Sequence, residues 1–328
     1  MFTADSVDVL VLVENQIDML LGDQHTDDGG LHCVSRAGLV HHFDPKHAPP
    51  VAENGLSLLI TARKGRYSSR VLFDVGLTGT ALAHNLEVLH EDPNTVDHVV
   101  ISHGHPDHYG GVHRFLELMD HPVPVATHPD AFLPRYAVMG DGRTSPFYNA
   151  AFNQGQLEHE GGRLVLARQP VDLGWGMTTT GEIPRDVPFE GPRPPTTPHG
   201  PGLYQVRAQG EFGLDEVWDE QGLVIDVDGE GLVVLTGCAH AGVVNTVQQA
   251  KRMRGDRPVR AVLGGFHLGF PTTPKENVAA TVDALRELDV QTIMPMHCSG
   301  IRAQAAFLTE LPDRYVQPAV GTVLHFGA

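Results

Sequence analysis

The chain has 328 residues and carries 40 acidic against 23 basic side chains, a formal charge of −17 at pH 7. That length can bury a large core in one unit, and that charge disfavours nucleic-acid affinity through phosphate contacts. No apolar stretch reaches the roughly 20 residues that span a bilayer, Val7 to Val13 is too short for a leader and is flanked by Asp5, and three cysteines (Cys33, Cys238, Cys298) are an odd number rather than a disulfide framework, so a cytoplasmic protein with no membrane contact is expected.

In chain order, Val7–Glu14, Leu56–Thr61, Val71–Asp74 and Val96–Ser102 read as strands, and Thr80–His90 as an amphipathic helix presenting Leu82, Leu86 and Leu89. Helical spacing resumes over Tyr109–Met119, and Val123–Thr127 adds a short strand. The polar stretch 23–50, with His25, His32, His41, His42 and His47, reads as a solvated loop. From about 140 to 212 proline and glycine punctuate the chain, most densely over 191–202, which predicts an inserted surface excursion that shapes a pocket mouth. The last part gives strands over Leu223–Val227, Leu232–Thr236, Val259–Leu263, Thr292–Met296 and Val320–Phe326, with helices near Ala241–Met253, Lys275–Leu288 and Ile301–Leu311. Two such halves predict an α/β chain of one domain, 1–328, built as an αββα sandwich: two mixed sheets face to face, with helices outside.

Between the strand Val96–Ser102 and the following helix lies His103-Gly104-His105-Pro106-Asp107-His108. Three imidazoles and a carboxylate in six residues suit zinc, iron or manganese, and their number suits two adjacent divalent ions. In an extended loop, side chains two apart point the same way, so His103 and His105 can hold one ion while Asp107 and His108 face another. Three later histidines, His240, His267 and His297, each stand just past an apolar strand, where sites of layered α/β folds are assembled from loops. We read His240 as completing the His103/His105 group. Cys238 is either a thiolate ligand or a small buried residue beside His240. His267 is read as a substrate-facing acid or hydrogen-bond donor. Arg185, and secondarily Arg193, could clamp a phosphate or carboxylate by bidentate hydrogen bonds.

The run His103-x-His105-x-Asp107-His108, followed by Gly110-Gly111, resembles the metal-binding loop of the metallo-β-lactamase superfamily. Upstream, Val71-Leu72-Phe73-Asp74-Val75-Gly76 is similar to that superfamily's first motif, which implies that Asp74 braces the metal loop without binding metal. The resemblance also implies that His297 is the last ligand and completes the Asp107/His108 site. Where the superfamily often places a bridging aspartate, this chain has Gly237-Cys238. Val13-Glu14-Asn15, Glu53-Asn54-Gly55-Leu56-Ser57, Thr180-Gly181-Glu182-Ile183-Pro184-Arg185, Asp219-Glu220-Gln221, Thr236-Gly237-Cys238-Ala239-His240-Ala241-Gly242 and Gly264-Gly265-Phe266-His267-Leu268 together resemble the dihydropteroate-synthase-like branch. On that likeness Asn15 joins Arg185 as a residue for the substrate, although the branch usually has a histidine where Asn54 stands.

The resemblance implies a metallo-β-lactamase-type catalytic domain with a dinuclear centre, zinc first and iron or manganese as alternatives. A metal-bound hydroxide would attack a phosphoryl or acyl centre of a small, phosphorylated or otherwise anionic substrate, with Asp107 and His267 as the catalytic side chains. The alternatives are a pterin-type transferase that displaces pyrophosphate and a non-catalytic metal- or ligand-binding protein. Self-association is left open.

Overall fold

A computed structural model describes residues 3–24, 33–35, 48–191, 200–207 and 209–327. The histidines at 25, 32, 41, 42 and 47, and Arg193, lie outside these residues. An eight-stranded sheet runs in the order Cys33–Ser35, Val323–Gly327, Ser6–Val13, Ser57–Lys64, Tyr67–Phe73, His98–Val100, Val123–Thr127, Gly162–Leu166. A six-stranded sheet follows the order Asp172–Gly174, Met177–Thr179, Leu223–Val227, Gly231–Thr236, Val259–Gly265, Thr292–Met296. Each is mixed: the first becomes parallel from Tyr67–Phe73 onward, the second from Gly231–Thr236 onward.

Period-two alternation explains the layering. On Ser6–Val13, Val7, Val9 and Val11 point into a core shared with Ile225, Val233, Leu235 and Leu263 of the other sheet. Leu10 and Leu12 point the opposite way, onto Leu82 and Leu86 of helix Gly79–Val88 and Phe115 of helix Val112–Leu118. In the second sheet Val224, Leu232, Val234 and Ile293 turn outward onto Val243, Val247, Leu285 and Phe307 of helices Val243–Arg254, Lys275–Glu287 and Gly300–Glu310. The result is the αββα sandwich that the alternation predicts. Among the described residues no helix is long and apolar enough to cross a membrane.

The Pro/Gly-rich stretch holds more regular structure than its composition predicts. Arg135–Val138, Thr144–Pro146, Gly202–Val206 and Phe212–Leu214 form a separate four-stranded antiparallel sheet, while Gly162–Leu166 and Met177–Thr179 extend the two main sheets. Strands of three to five residues show too little alternation to be read one at a time, and the turn residues mark their ends.

What matters for chemistry is where the parallel strands stop. Asp74 follows Tyr67–Phe73, His103–His108 follow His98–Val100, and Cys238, His267 and His297 follow the last three strands of the second sheet. All of these loops open at the carboxyl ends of the parallel strands, on one edge of the sandwich.

Candidate metal centre

Asp74, fully buried and left-handed at φ 57°, organises the first loop. Its carboxylate accepts from the Ser102 amide and hydroxyl, each at 2.7 Å, and lies 2.7 Å from His108 Nδ1. The Ser102 hydroxyl in turn lies 2.9 Å from His103 Nδ1. His108 Nε2 is thereby turned inward, and so is His103 Nε2.

His103 Nε2 and His105 Nδ1 approach to 3.1 Å, and with His240 they form one group whose ligand atoms all lie within 4.8 Å of one another. Asp107, His108, Cys238 and His297 form a second group by the same measure. In it, His297 Nε2 lies 3.1 Å from an Asp107 oxygen and His108 Nε2 lies 3.1 Å from Cys238 Sγ. The groups adjoin: the His103 ring is 4.2 Å from the His108 ring and 4.9 Å from that of His240. A third combination, Cys238, His240 and His267, meets the same limit, with the His267 ring 4.0 Å from His240 and 4.5 Å from Phe270.

Electrostatics follow from burial and crowding. Burial, then the neighbouring imidazoles, hold His103 and His240 well below the usual histidine range, so both are neutral and able to donate a lone pair. Burial also opposes charge on His108, but Asp74 and Asp107 outweigh it and push it up to about 9. For Asp107 burial is again outweighed, here by His108 and His297, which keep the carboxylate ionised. Burial pushes the Cys238 thiol well up. His240 Nε2 and His267 Nδ1 are buried with no hydrogen-bond partner, which native interiors seldom tolerate. Orphaned imidazole nitrogens, neutral rings and an ionised carboxylate turned toward one another fit divalent cations.

Backbone strain gathers here as well. Besides Asp74, the non-glycine residues Ala239, His267 and His297 sit at φ 56°, 52° and 47°, a conformation that persists only where surrounding contacts enforce it.

The remaining expected residues are placed as follows. Asn15 spends its amide on His297: Nδ2 donates to the His297 carbonyl at 3.1 Å and Oδ1 lies 3.2 Å from His297 Nδ1. Arg185 lies against the Trp218 ring, 4.1 Å from its centroid, and donates to the Glu216 and Val217 carbonyls. His267 lines a cavity of about 320 Å³ together with His105, His240, Phe270, Leu203 and Leu214.

Several supporting residues were given no role by the sequence reading. Arg135, fully buried, donates to Asp215 at 2.8 Å and to Asp219 at 2.7 Å. Asp215 lies 3.1 Å from His105 Nε2, and Asp219 accepts from the Gly104 amide at 2.8 Å. A carboxylate behind a ligating imidazole fixes its tautomer and raises its basicity. Glu14 accepts from the His297 amide at 2.9 Å, and burial pushes its carboxyl up to about 7. The acidic Asp219-Glu220 pair ahead of an apolar strand was a signal open to reading, whereas Arg135 and Asp215 had none.

Residues 53–248 match the family described as the metallo-beta-lactamase superfamily; the match includes His103–His108 and His240 and ends before His267 and His297. The chain is 31% identical over 288 residues, 88% of its length and 95% of the relative's, to 7,8-dihydropterin-6-methyl-4-(beta-D-ribofuranosyl)-aminobenzene-5'-phosphate synthase of Methanocaldococcus jannaschii. An uncharacterized protein of the same organism is 30% identical over 83% of this chain and 93% of its own. A solved structure described as a metal-dependent hydrolase of the beta-lactamase superfamily superposes with a TM-score of 0.70 at 24% identity, covering 98% of this chain and all of the other, which shows a common fold. On the family match and the identity to the synthase, this chain belongs to the metallo-beta-lactamase superfamily.

Proposed function

We propose that this protein is a metal-dependent hydrolase of a small molecule, with one divalent ion held by His103, His105 and His240 and a second by Asp107, His108, His297 and Cys238. The observation that carries this reading is the pair of adjoining ligand groups containing neutral imidazoles and a buried, unpartnered His240 Nε2. When bound, such a pair of ions supplies a water that ionises near neutral pH and positive charge for the oxygens of a phosphoryl or acyl centre. The chain's own share is positional. Asp74 and Asp215 fix the faces of His108 and His105, and Asn15 fixes that of His297. His267, with a free Nδ1 beside the cavity, is suited to hold or move a proton on the substrate. Phe270, 46% exposed, offers a ring face to the same space.

A pterin-type transferase is the second reading, favoured by 31% identity to the Methanocaldococcus synthase over 95% of that protein. The same two groups would then hold metal whose positive charge suits a leaving pyrophosphate. Metal analysis by plasma spectrometry, with turnover of a generic phosphodiester, ester and thioester, tests the first reading. Consumption of a dihydropterin pyrophosphate only when an arylamine is present would select the second. Under either, His105→Ala is expected to abolish turnover and lower bound metal by about one equivalent while the far-ultraviolet circular dichroism stays native; full activity in the metal-poor variant would overturn the assignment.

A further inference from the structure

The two ligand groups share one brace, the Asp74 carboxylate, which holds His108 and, through Ser102, His103; their other braces come from different parts of the chain. Behind His297 stand Glu14 and Asn15, both just past the first strand. Behind His105 and His240 stands one short segment, 215–221, which precedes strand Leu223–Val227. Within it, Asp215 faces the His105 ring and Asp219 takes the Gly104 amide. The Gln221 amide donates to the Ser102 carbonyl at 2.9 Å. Arg135 ties Asp215 to Asp219, and Val217 holds a left-handed φ of 52° so that both carboxylates turn toward the loop.

Glu220 reaches the other way. Its two oxygens take the His240 amide at 2.7 Å and the Ala241 amide at 2.6 Å, and the side chain is 2% exposed. The segment thus grips the loop carrying His103 and His105 with one carboxylate and the loop carrying His240 with the next. These two loops lie on different sheets, and among the described residues His240 has no side-chain hydrogen bond at Nε2 to hold it in place. A buried carboxylate accepting two amide protons is a strong, oriented anchor.

We propose that Glu220 is the positioning residue of His240, and that segment 215–221 sets His105 and His240 while Glu14 and Asn15 set His297. The inference rests on the reading of both groups as metal sites. It follows that a substitution in the segment weakens the His103/His105/His240 site more than the other, which shares only Cys238 with the loop that Glu220 grips.

Glu220→Gln tests this, because an amide keeps one acceptor and turns an N–H against a backbone N–H, so one of the two bonds is lost. In metal-stripped protein, amide exchange at whichever of His240 and Ala241 loses its acceptor is expected to quicken at least about 10-fold, since that proton loses protection. The His297 amide, held by Glu14, is expected to exchange at the wild-type rate. On titration with zinc, the variant should keep one equivalent at wild-type affinity and bind the other about 10 to 100 times more weakly, the usual cost of removing an outer hydrogen-bond partner. Unchanged exchange at His240 and Ala241, faster exchange at His297 as well, or equal weakening of both equivalents would each overturn the proposal. If wild-type protein takes up no metal, the two-site reading fails by itself while the exchange rates still judge the anchor. Should Glu220→Gln not fold, Glu220→Asp, one methylene shorter with its charge kept, carries the same comparison.

Discussion

Burial decides what Cys238 can be. With its thiol pushed well above the ordinary range, Cys238 without a cation beside it is protonated and packs as a small apolar side chain. A cation 2 to 3 Å away reverses that balance, because a coordinating thiol is deprotonated outright. His108 Nε2, 3.1 Å from the sulfur, shows that the atom already faces the second group. Cys238→Ser is therefore expected to weaken the Asp107/His108/His297 site about 10- to 100-fold, an order of magnitude set by other ligand-shell changes. Plasma spectrometry after dialysis against a weak chelator measures it, and undiminished metal would leave Cys238 a packing residue. The neighbouring His267 tests differently. Its Nδ1 is free and its ring lines the cavity, so His267→Ala should cost roughly 100-fold in kcat, in the range for a lost acid or base. Metal content should not change; loss of an equivalent would make His267 a ligand instead.

Helix Val243–Arg254 begins without a side-chain cap of its own, and the orphaned amides of its first turn are met from a distance. Glu190 accepts from the Val244 and Asn245 amides, each at 2.8 Å, and burial pushes its carboxyl from 4.5 up to about 7 despite those bonds. The folded value lies above the unfolded one, so the folded protein binds the extra proton between about pH 4.5 and 7. That contribution to stability is fully present below pH 4.5 and is lost as pH rises through 7. Allowing for partial exposure of the side chain, about 1 to 2 kcal/mol is at stake. Urea unfolding of metal-free protein at pH 5 and pH 8 should show that fall in the wild type and a smaller one in Glu190→Gln; parallel falls would remove Glu190 from the account. At this scale the sequence was most readable where an apolar run ended abruptly: Val123–Thr127, Leu223–Val227 and Thr292–Met296 occupy the predicted bounds. Val96–Ser102 shrank to His98–Val100, because Ser102 leaves the ladder to give its amide to Asp74. The histidines proposed as ligands were legible because they follow strands, and their convergence needed only layered topology. Arg135 and Asp215 were not, since their ion pair joins residues 80 apart and no local pattern announces a partner so distant.

Across the whole molecule, the candidate centre is a seam. His103, His105, Asp107 and His108 belong to the eight-stranded sheet's loops, and His240, His297 and Cys238 to those of the six-stranded sheet. The two sheets otherwise meet through an apolar interface, contributed by Val7, Leu58, Phe73, Ile225 and Leu263 among others, which has no directional preference. Divalent ions held jointly by both sets of loops would therefore bind the native arrangement and not the unfolded chain, and mass action then adds RT ln(1 + [L]/Kd) for each site, about 2.7 kcal/mol when free metal is 100 times Kd. Two filled sites would give about 5 kcal/mol, which in a chain of this size corresponds to roughly 5 to 10 °C in melting temperature. The chain's charge of −17 favours the same direction, because cations relieve self-repulsion. Chelator-treated protein should melt lower by that amount and recover on readdition of two equivalents of zinc or manganese, followed by scanning calorimetry at fixed ionic strength. His105→Ala should recover about half of the shift. A melting temperature indifferent to metal would mean that the loops of the two sheets are not tied together by ions, whatever their side chains bring within reach.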